Sequence, residues 1–261
     1  MDRLLVPEVH MAVTTMREII VGTPDGDCPV RLHRPVGAGR WPGVIAYMDA
    51  PGIRPALDEI AARLASAGYA VAMPDLFYRA GRYAPIDPAV VFTDPARRAA
   101  HRARFNATID ATKVMADTGA VIAAMTTWPE VTAGAIGMVG YCMGGRFALI
   151  AAGSFPDHVA VAASYHAGGL ADDRADSPHL LAPAIRATVY VACAIDDSNF
   201  PDLMKDRLVT ALSDADVEHC VETYPARHGW VPRDMPAHDP AEAEHHWRTL
   251  IPLLDRALKR S

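Results

Sequence analysis

The chain has 261 residues, 51% hydrophobic and 21% charged, a balance that supports a sizeable core and excludes wholesale disorder. Lys and Arg number 25 against 31 Asp and Glu, a formal net charge of −6. That composition lacks the broad basic face that nucleic acid or an anionic membrane would require, so neither is expected as a partner.

The first apolar run, within Met1 to Glu8, stops at Pro7 and Glu8. It falls short of the ~7–15 apolar residues at the centre of a signal peptide, and no later stretch reaches ~18 without a charge or breaker. Cys28, Cys142, Cys193 and Cys220 are far apart and show no metal-finger spacing. They read as free thiols in a reducing compartment, so a cytoplasmic protein without a metal site is expected.

In chain order, Glu18 to Val21 and Val30 to His33 are predicted strands separated by the turn Thr23-Pro-Asp-Gly26. Gly43 to Met48 has the apolar, β-branched content of a buried strand. Leu57, Ile60, Ala61, Leu64 and Ala65 repeat at helical spacing over Leu57 to Ala67, and Gly68 supplies the stop. Strand returns at Tyr69 to Met73, which completes a βαβ unit of about thirty residues. Pro74 to Pro95, rich in Pro, Gly, Tyr and Arg, is predicted as a long ordered loop. Helices follow over Ala96 to Asn106 and Thr108 to Thr127, then strand Ala135 to Val139, helix Gly145 to Ala152 and strands Val159 to Ser164 and Thr188 to Ala194. Helix Asp202 to Ser213, strand Val217 to Thr223 and helix Ala241 to Leu258 end the series. The unbroken alternation predicts one doubly wound α/β domain over residues 1–261.

One segment carries chemistry. An apolar strand runs into Gly140-Tyr-Cys-Met-Gly144 and a helix follows at once, the G-x-nucleophile-x-G pattern with cysteine at its centre. A nucleophile on so sharp a strand-to-helix turn leaves no space for side chains two residues before or after it, and glycine removes them. The helix N-terminus directs unpaired N–H groups at the thiol, favouring a thiolate and making the Met143 N–H an oxyanion donor. An acid and a base follow in the order this arrangement needs. Asp196 and Asp197 lie just past the strand Thr188 to Ala194, and His228 sits on a glycine-flanked turn after the strand Val217 to Thr223. His228 would take the thiol proton and later activate water, with either aspartate fixing its tautomer.

Other residues carry weaker signals. His238, His245 and His246 near the last helix read as surface positions, since adjacent residues point about 100° apart and do not form an i, i+4 metal pair. Cys28 and Cys193 read as inert structural thiols. Phe77, Tyr78, Tyr83 and Trp230 are candidates to line a pocket over the triad.

Four segments together resemble dienelactone hydrolase, also called carboxymethylenebutenolidase. They are Gly140-Tyr-Cys-Met-Gly-Gly145, Met73-Pro-Asp-Leu-Phe77, Asp197-Ser-Asn-Phe-Pro201 and Arg227-His-Gly-Trp230, and the likeness runs from about Val30 to the last helix. The resemblance implies an α/β-hydrolase fold, a mostly parallel sheet with helices on both faces, and a Cys-His-Asp triad. It also implies cofactor-independent hydrolysis of a small lactone or activated ester through a thioester. It aligns the acid with Asp197, since proline lies four residues later, and places a second oxyanion donor at the Ala50 N–H in Met48-Asp-Ala-Pro-Gly52.

Two positions depart from the family. Asp49 stands where the family has a glutamate that contacts the resting thiol, and it is one methylene shorter. Pro232, with Arg233 next, stands where the family has an arginine for the substrate carboxylate; Arg97 and Arg98 lie near the second expected arginine. Two other readings stand beside this one, the first of them suggested by Asp49 and Pro232. One is a carboxylesterase or acyltransferase acting on an unrelated ester, and the other a non-catalytic small-molecule receptor or redox-sensing thiol protein. The sequence sets no oligomeric state.

Overall fold

The computed structural model describes residues 12–259, so the apolar run in Met1 to Glu8 lies outside the described residues. Strands β1 (Thr14–Thr23) and β2 (Gly26–Pro35) form an antiparallel hairpin that closes through Pro24 and Asp25, with Thr23 paired to Gly26. Gly26 has φ 125°, a backbone angle open to glycine at little cost. Both strands run longer than their apolar pattern predicts. Most of β1 is exposed at the sheet edge, where polar residues serve as well as apolar ones and the alternation fades.

The rest of the sheet follows from buried runs. Every residue of β3 (Gly43–Tyr47), β4 (Ala70–Pro74) and β5 (Ile136–Tyr141) is buried, as expected for parallel strands covered on both faces. With β6 (Val159–Tyr165), β7 (Thr188–Cys193) and β8 (His219–Thr223), the sheet has eight strands in the order β1-β2-β4-β3-β5-β6-β7-β8. β2 meets β4 antiparallel, and all pairs from β4 to β8 are parallel. The loops that leave β3 to β8 therefore converge on one edge of the sheet, where open α/β folds place their ligands.

Helices pack on this frame through the predicted stripes. α1 (Pro55–Ser66) buries Leu57, Ile60, Ala61, Leu64 and Ala65, and Gly68 (φ 92°) donates its N–H to the Ala65 carbonyl at 2.8 Å to end it. The stretch predicted as one long loop contains α2 (Pro88–Thr93), capped by Asp87. Its six residues include two valines and a threonine, too short and too β-branched to show a helical period. α3 (Pro95–Arg104) follows, with Asp94 accepting the Ala96 and Arg97 N–H groups, and then α4 (Ala111–Met125). α5 (Met143–Ser154), α6 (Asp202–Asp214) and α7 (Pro240–Leu258) complete the set.

One correction falls on α7. His246 is fully buried, not a surface residue, and its Nε2 lies 3.0 Å from the Tyr141 hydroxyl. It lies on the stripe of Ala243, Trp247, Leu250 and Leu254 that faces the sheet. Comparing the histidines only with each other conceals that periodicity. Among the described residues, no helix is long and apolar enough to cross a membrane.

Candidate active site

β5 ends at Tyr141 and α5 begins at Met143, so Cys142 alone makes the turn, with φ 53°. The sequence placed the strand end and helix start further apart; the bend is sharper. Its glycines are required by backbone contacts. A Cβ on Gly140 would lie 2.0 Å from the Gly144 carbonyl oxygen, and one on Gly144 would lie 2.5 Å from the Met48 oxygen. Neither partner is a flexible side chain that could move aside. The Cys142 N–H donates to the Tyr165 carbonyl at 2.9 Å, which fixes the turn to β6.

The loops after β7 and β8 bring two further side chains to the sulfur. His228 Nε2 lies 3.0 Å from Cys142 Sγ, and His228 Nδ1 lies 2.7 Å from Asp197 Oδ2. The other Asp197 oxygen accepts the Asn199 N–H at 2.9 Å and the Asn199 side-chain amide at 2.8 Å. Asp196 is exposed, so Asp197 is the carboxylate that reaches the ring. Burial opposes the charge on Asp197, but the bonds from His228 and Asn199 outweigh it and hold the carboxyl below its ordinary range. Burial likewise pushes His228 down, while its bonds to Asp197 and Cys142 prevail and raise it to about 10. The ring therefore carries a proton at neutral pH. Cys28 and Cys193, by contrast, are pushed up to about 12, chiefly by burial, which makes them poor nucleophiles.

The N–H groups of Met143 and Ala50 have no hydrogen-bond acceptor among the described residues. The Ala50 carbonyl accepts from His101 Nε2 on α3 at 2.8 Å. Asp49 does not bond to the thiol. Its two oxygens receive Arg54 Nη1 at 2.5 Å and Nη2 at 2.9 Å, and the same guanidinium reaches Asp234 through Nε at 2.7 Å. Burial alone would lower Arg54, but the two carboxylates overturn that and raise it, so the cation is permanent. Arg54 also donates to the Gly52 carbonyl at 3.1 Å. One buried side chain thus ties the loop after β3 to the loop that carries His228. No short motif announces this clamp, because Asp234 lies 180 residues beyond Arg54.

The aromatic candidates are placed differently from expectation. Phe77 and Trp230 are fully buried core residues. Tyr78 and Tyr83 line a cavity of about 600 Å³ with Arg31, Ile53, Asp75 and Arg82, and Cys142, Asp197 and His228 do not border it. Of the arginines considered for a substrate carboxylate, Arg233 pairs with Glu59 at 2.5 Å and Arg97 with Asp94 at 3.5 Å, both largely exposed. Arg98 donates to the Phe92 carbonyl.

A nucleophile elbow at the end of β5, in a sheet of this strand order, defines an α/β-hydrolase. The model of the dienelactone hydrolase family matches residues 28–258, and the chain belongs to that family, as a hydrolase of carboxylic ester bonds. A Synechocystis sp. protein provisionally named carboxymethylenebutenolidase is 27% identical over 234 residues, 87% of this chain and 91% of that protein. The carboxymethylenebutenolidase of Rhodococcus opacus is 32% identical over 145 residues, 56% of this chain and 51% of that enzyme. A crystal structure from Klebsiella pneumoniae, provisionally described as a dienelactone hydrolase, superposes with TM-score 0.81 at 20% identity, over 93% of this chain and 99% of that one.

Proposed function

We propose that the chain is a single-domain, cofactor-independent hydrolase of a small lactone or activated ester, working through a thioester on Cys142. The observation that carries this reading is the line Asp197–His228–Cys142, with contacts of 2.7 and 3.0 Å. With its Nε2 3.0 Å from the sulfur, His228 is placed to take the proton the thiol gives up on reaction, and the sulfur so freed is the nucleophile.

The thiolate attacks the carbonyl carbon, and the N–H groups of Met143 and Ala50 receive the oxyanion. The carbon–oxygen bond to the leaving group breaks as the thioester forms. The proton on His228 Nε2 passes to the departing alkoxide or enolate oxygen, which leaves the ring neutral. Neutral His228 then takes a proton from water, the hydroxide attacks the thioester, and the sulfur leaves as thiolate beside the re-formed imidazolium. Asp197 stays ionised throughout and holds the ring's orientation. Thiolates expel good leaving groups well and amines poorly, so esters and enol-lactones are favoured over peptides.

Turnover of p-nitrophenyl acetate, followed before and after iodoacetamide, tests this directly. A burst followed by steady turnover, both lost on alkylation of Cys142, is the expected result. Tight binding of small molecules with no turnover would favour a receptor instead.

A further inference from the structure

His166 directly follows β6, beneath the nucleophile, and no motif points to it. It is fully buried and has φ 42°, in a region disfavoured for a residue with a side chain. Its Nδ1 accepts the Cys142 N–H at 3.1 Å, which shares that donor with the Tyr165 carbonyl. A backbone amide only donates, so this Nδ1 bears no proton, the ring is neutral, and its hydrogen sits on Nε2. The backbone N–H of His166 donates to the Ala192 carbonyl of β7 at 2.8 Å.

The ring also touches the base. Its centroid lies 5.3 Å from that of His228 and 4.9 Å from Trp230, which is two residues further along the same loop. Nε2 is buried and has no hydrogen-bond partner among the described residues. A histidine held at positive φ with one nitrogen unpaired is a poor choice for stability alone. A neutral ring, unlike a charged one, can lie against the His228 imidazolium without repelling it, and burial together with His228 keeps His166 well below its ordinary range.

We propose that His166 is a positioning residue that fixes the Cys142 backbone through Nδ1 and supports the His228 ring by direct contact, thereby setting the sulfur–imidazole contact. This rests on the reading of Cys142 as the nucleophile. Atoms that touch substrate are not assigned to it.

Two variants separate its parts. His166→Asn keeps an acceptor near the Nδ1 position and tolerates positive φ, whereas His166→Phe keeps a ring and removes the acceptor. With an aryl acetate, His166→Phe should lose at least tenfold in kcat with KM within about twofold, and His166→Asn should recover most of that loss. Alkylation of Cys142 by iodoacetamide at pH 6, read by peptide mass spectrometry, should slow at least tenfold in His166→Phe and far less in His166→Asn. Equal rates in wild type and His166→Phe, or an Asn variant as slow as Phe, would overturn the assignment.

A nitrogen NMR spectrum of the wild-type histidines needs no variant. It should show His166 Nδ1 unprotonated near neutral pH, and a proton on that atom would refute the proposal even if His166→Phe fails to fold. Failure of the underlying reading looks different: wild-type Cys142 would alkylate no faster than exposed Cys220, with no ester turnover.

Discussion

The proton held on His228 between Asp197 and Cys142 makes the site sensitive to pH in a definite direction. His228 is raised from 6.5 to about 10 in the folded chain. The folded form therefore holds a proton that the unfolded form releases at lower pH, and the resulting stability is complete below about 6.5 and lost as pH climbs through about 10. The denaturation midpoint of wild type should exceed that of His228→Gln most at pH 6, and the gap should close towards pH 10. A gap that stays constant across this window would contradict the assignment. Cys142→Ala should abolish turnover, while Asp197→Asn should lower kcat by about 10⁴, the size of effect seen when a triad aspartate is neutralised. Asp196→Asn should change little, because that side chain is exposed and bonds to nothing at the site; a larger loss there than at Asp197 would reassign the acid. At this scale the sequence was most legible. Cys142 stood between two glycines, and Asp197 and His228 followed strands at the ligand-bearing edge. Arg54 and His166 were hidden, because their roles depend on partners that only folding brings near.

Between β5 and α5 the chain turns on one residue, and the packing of Gly144 against β3 shows what that tightness demands. Gly144→Ala would drive a Cβ to 2.5 Å from the Met48 carbonyl and 2.7 Å from that of Tyr47. The end of β3 would have to shift, at a cost of about 1–3 kcal/mol or more, which urea denaturation would register. Activity should fall further than stability, because Ala50 follows Met48 by two residues and its N–H would move with the loop. On the outer segment, Asp94 caps α3 with bonds of 2.8 and 3.1 Å to two N–H groups. Asp94→Ala should cost about 1 kcal/mol by the same measurement and leave ester turnover nearly unchanged, since the cap lies on the exposed start of the helix. The apolar runs of β3, β4 and β5 and the stripe of α1 were readable because burial imposes a period on them. α2 and most of β1 were not, one for its shortness and the other for its exposed edge.

Arg54 connects positions that are far apart in the chain. It joins Asp49 to Asp234, so the loop with the Ala50 N–H and the loop with His228 share one buried cation. Arg54→Leu would leave the Asp49 carboxylate buried without its partner, a loss of about 3–5 kcal/mol for a broken buried pair. Adding Asp49→Asn should restore part of it, and a double variant no more stable than the single one would refute the pairing. The clamp also accounts for the departure at position 49. In this chain the carboxylate is committed to a guanidinium five residues on, where the family glutamate would face the thiol.

The order of apolar runs and breakers determined that the chain forms a parallel-sheet α/β fold, since buried strands and amphipathic helices leave their periods in the sequence. The elbow was equally plain, because only glycine fits where backbone meets backbone. Which aspartate meets His228, where Asp49 points and what lies beneath Cys142 were decided by the tertiary structure. Asp49 and Arg54 apart, which are five residues from each other, those contacts join separate segments, and no local pattern encodes a distance that exists only after the sheet has assembled.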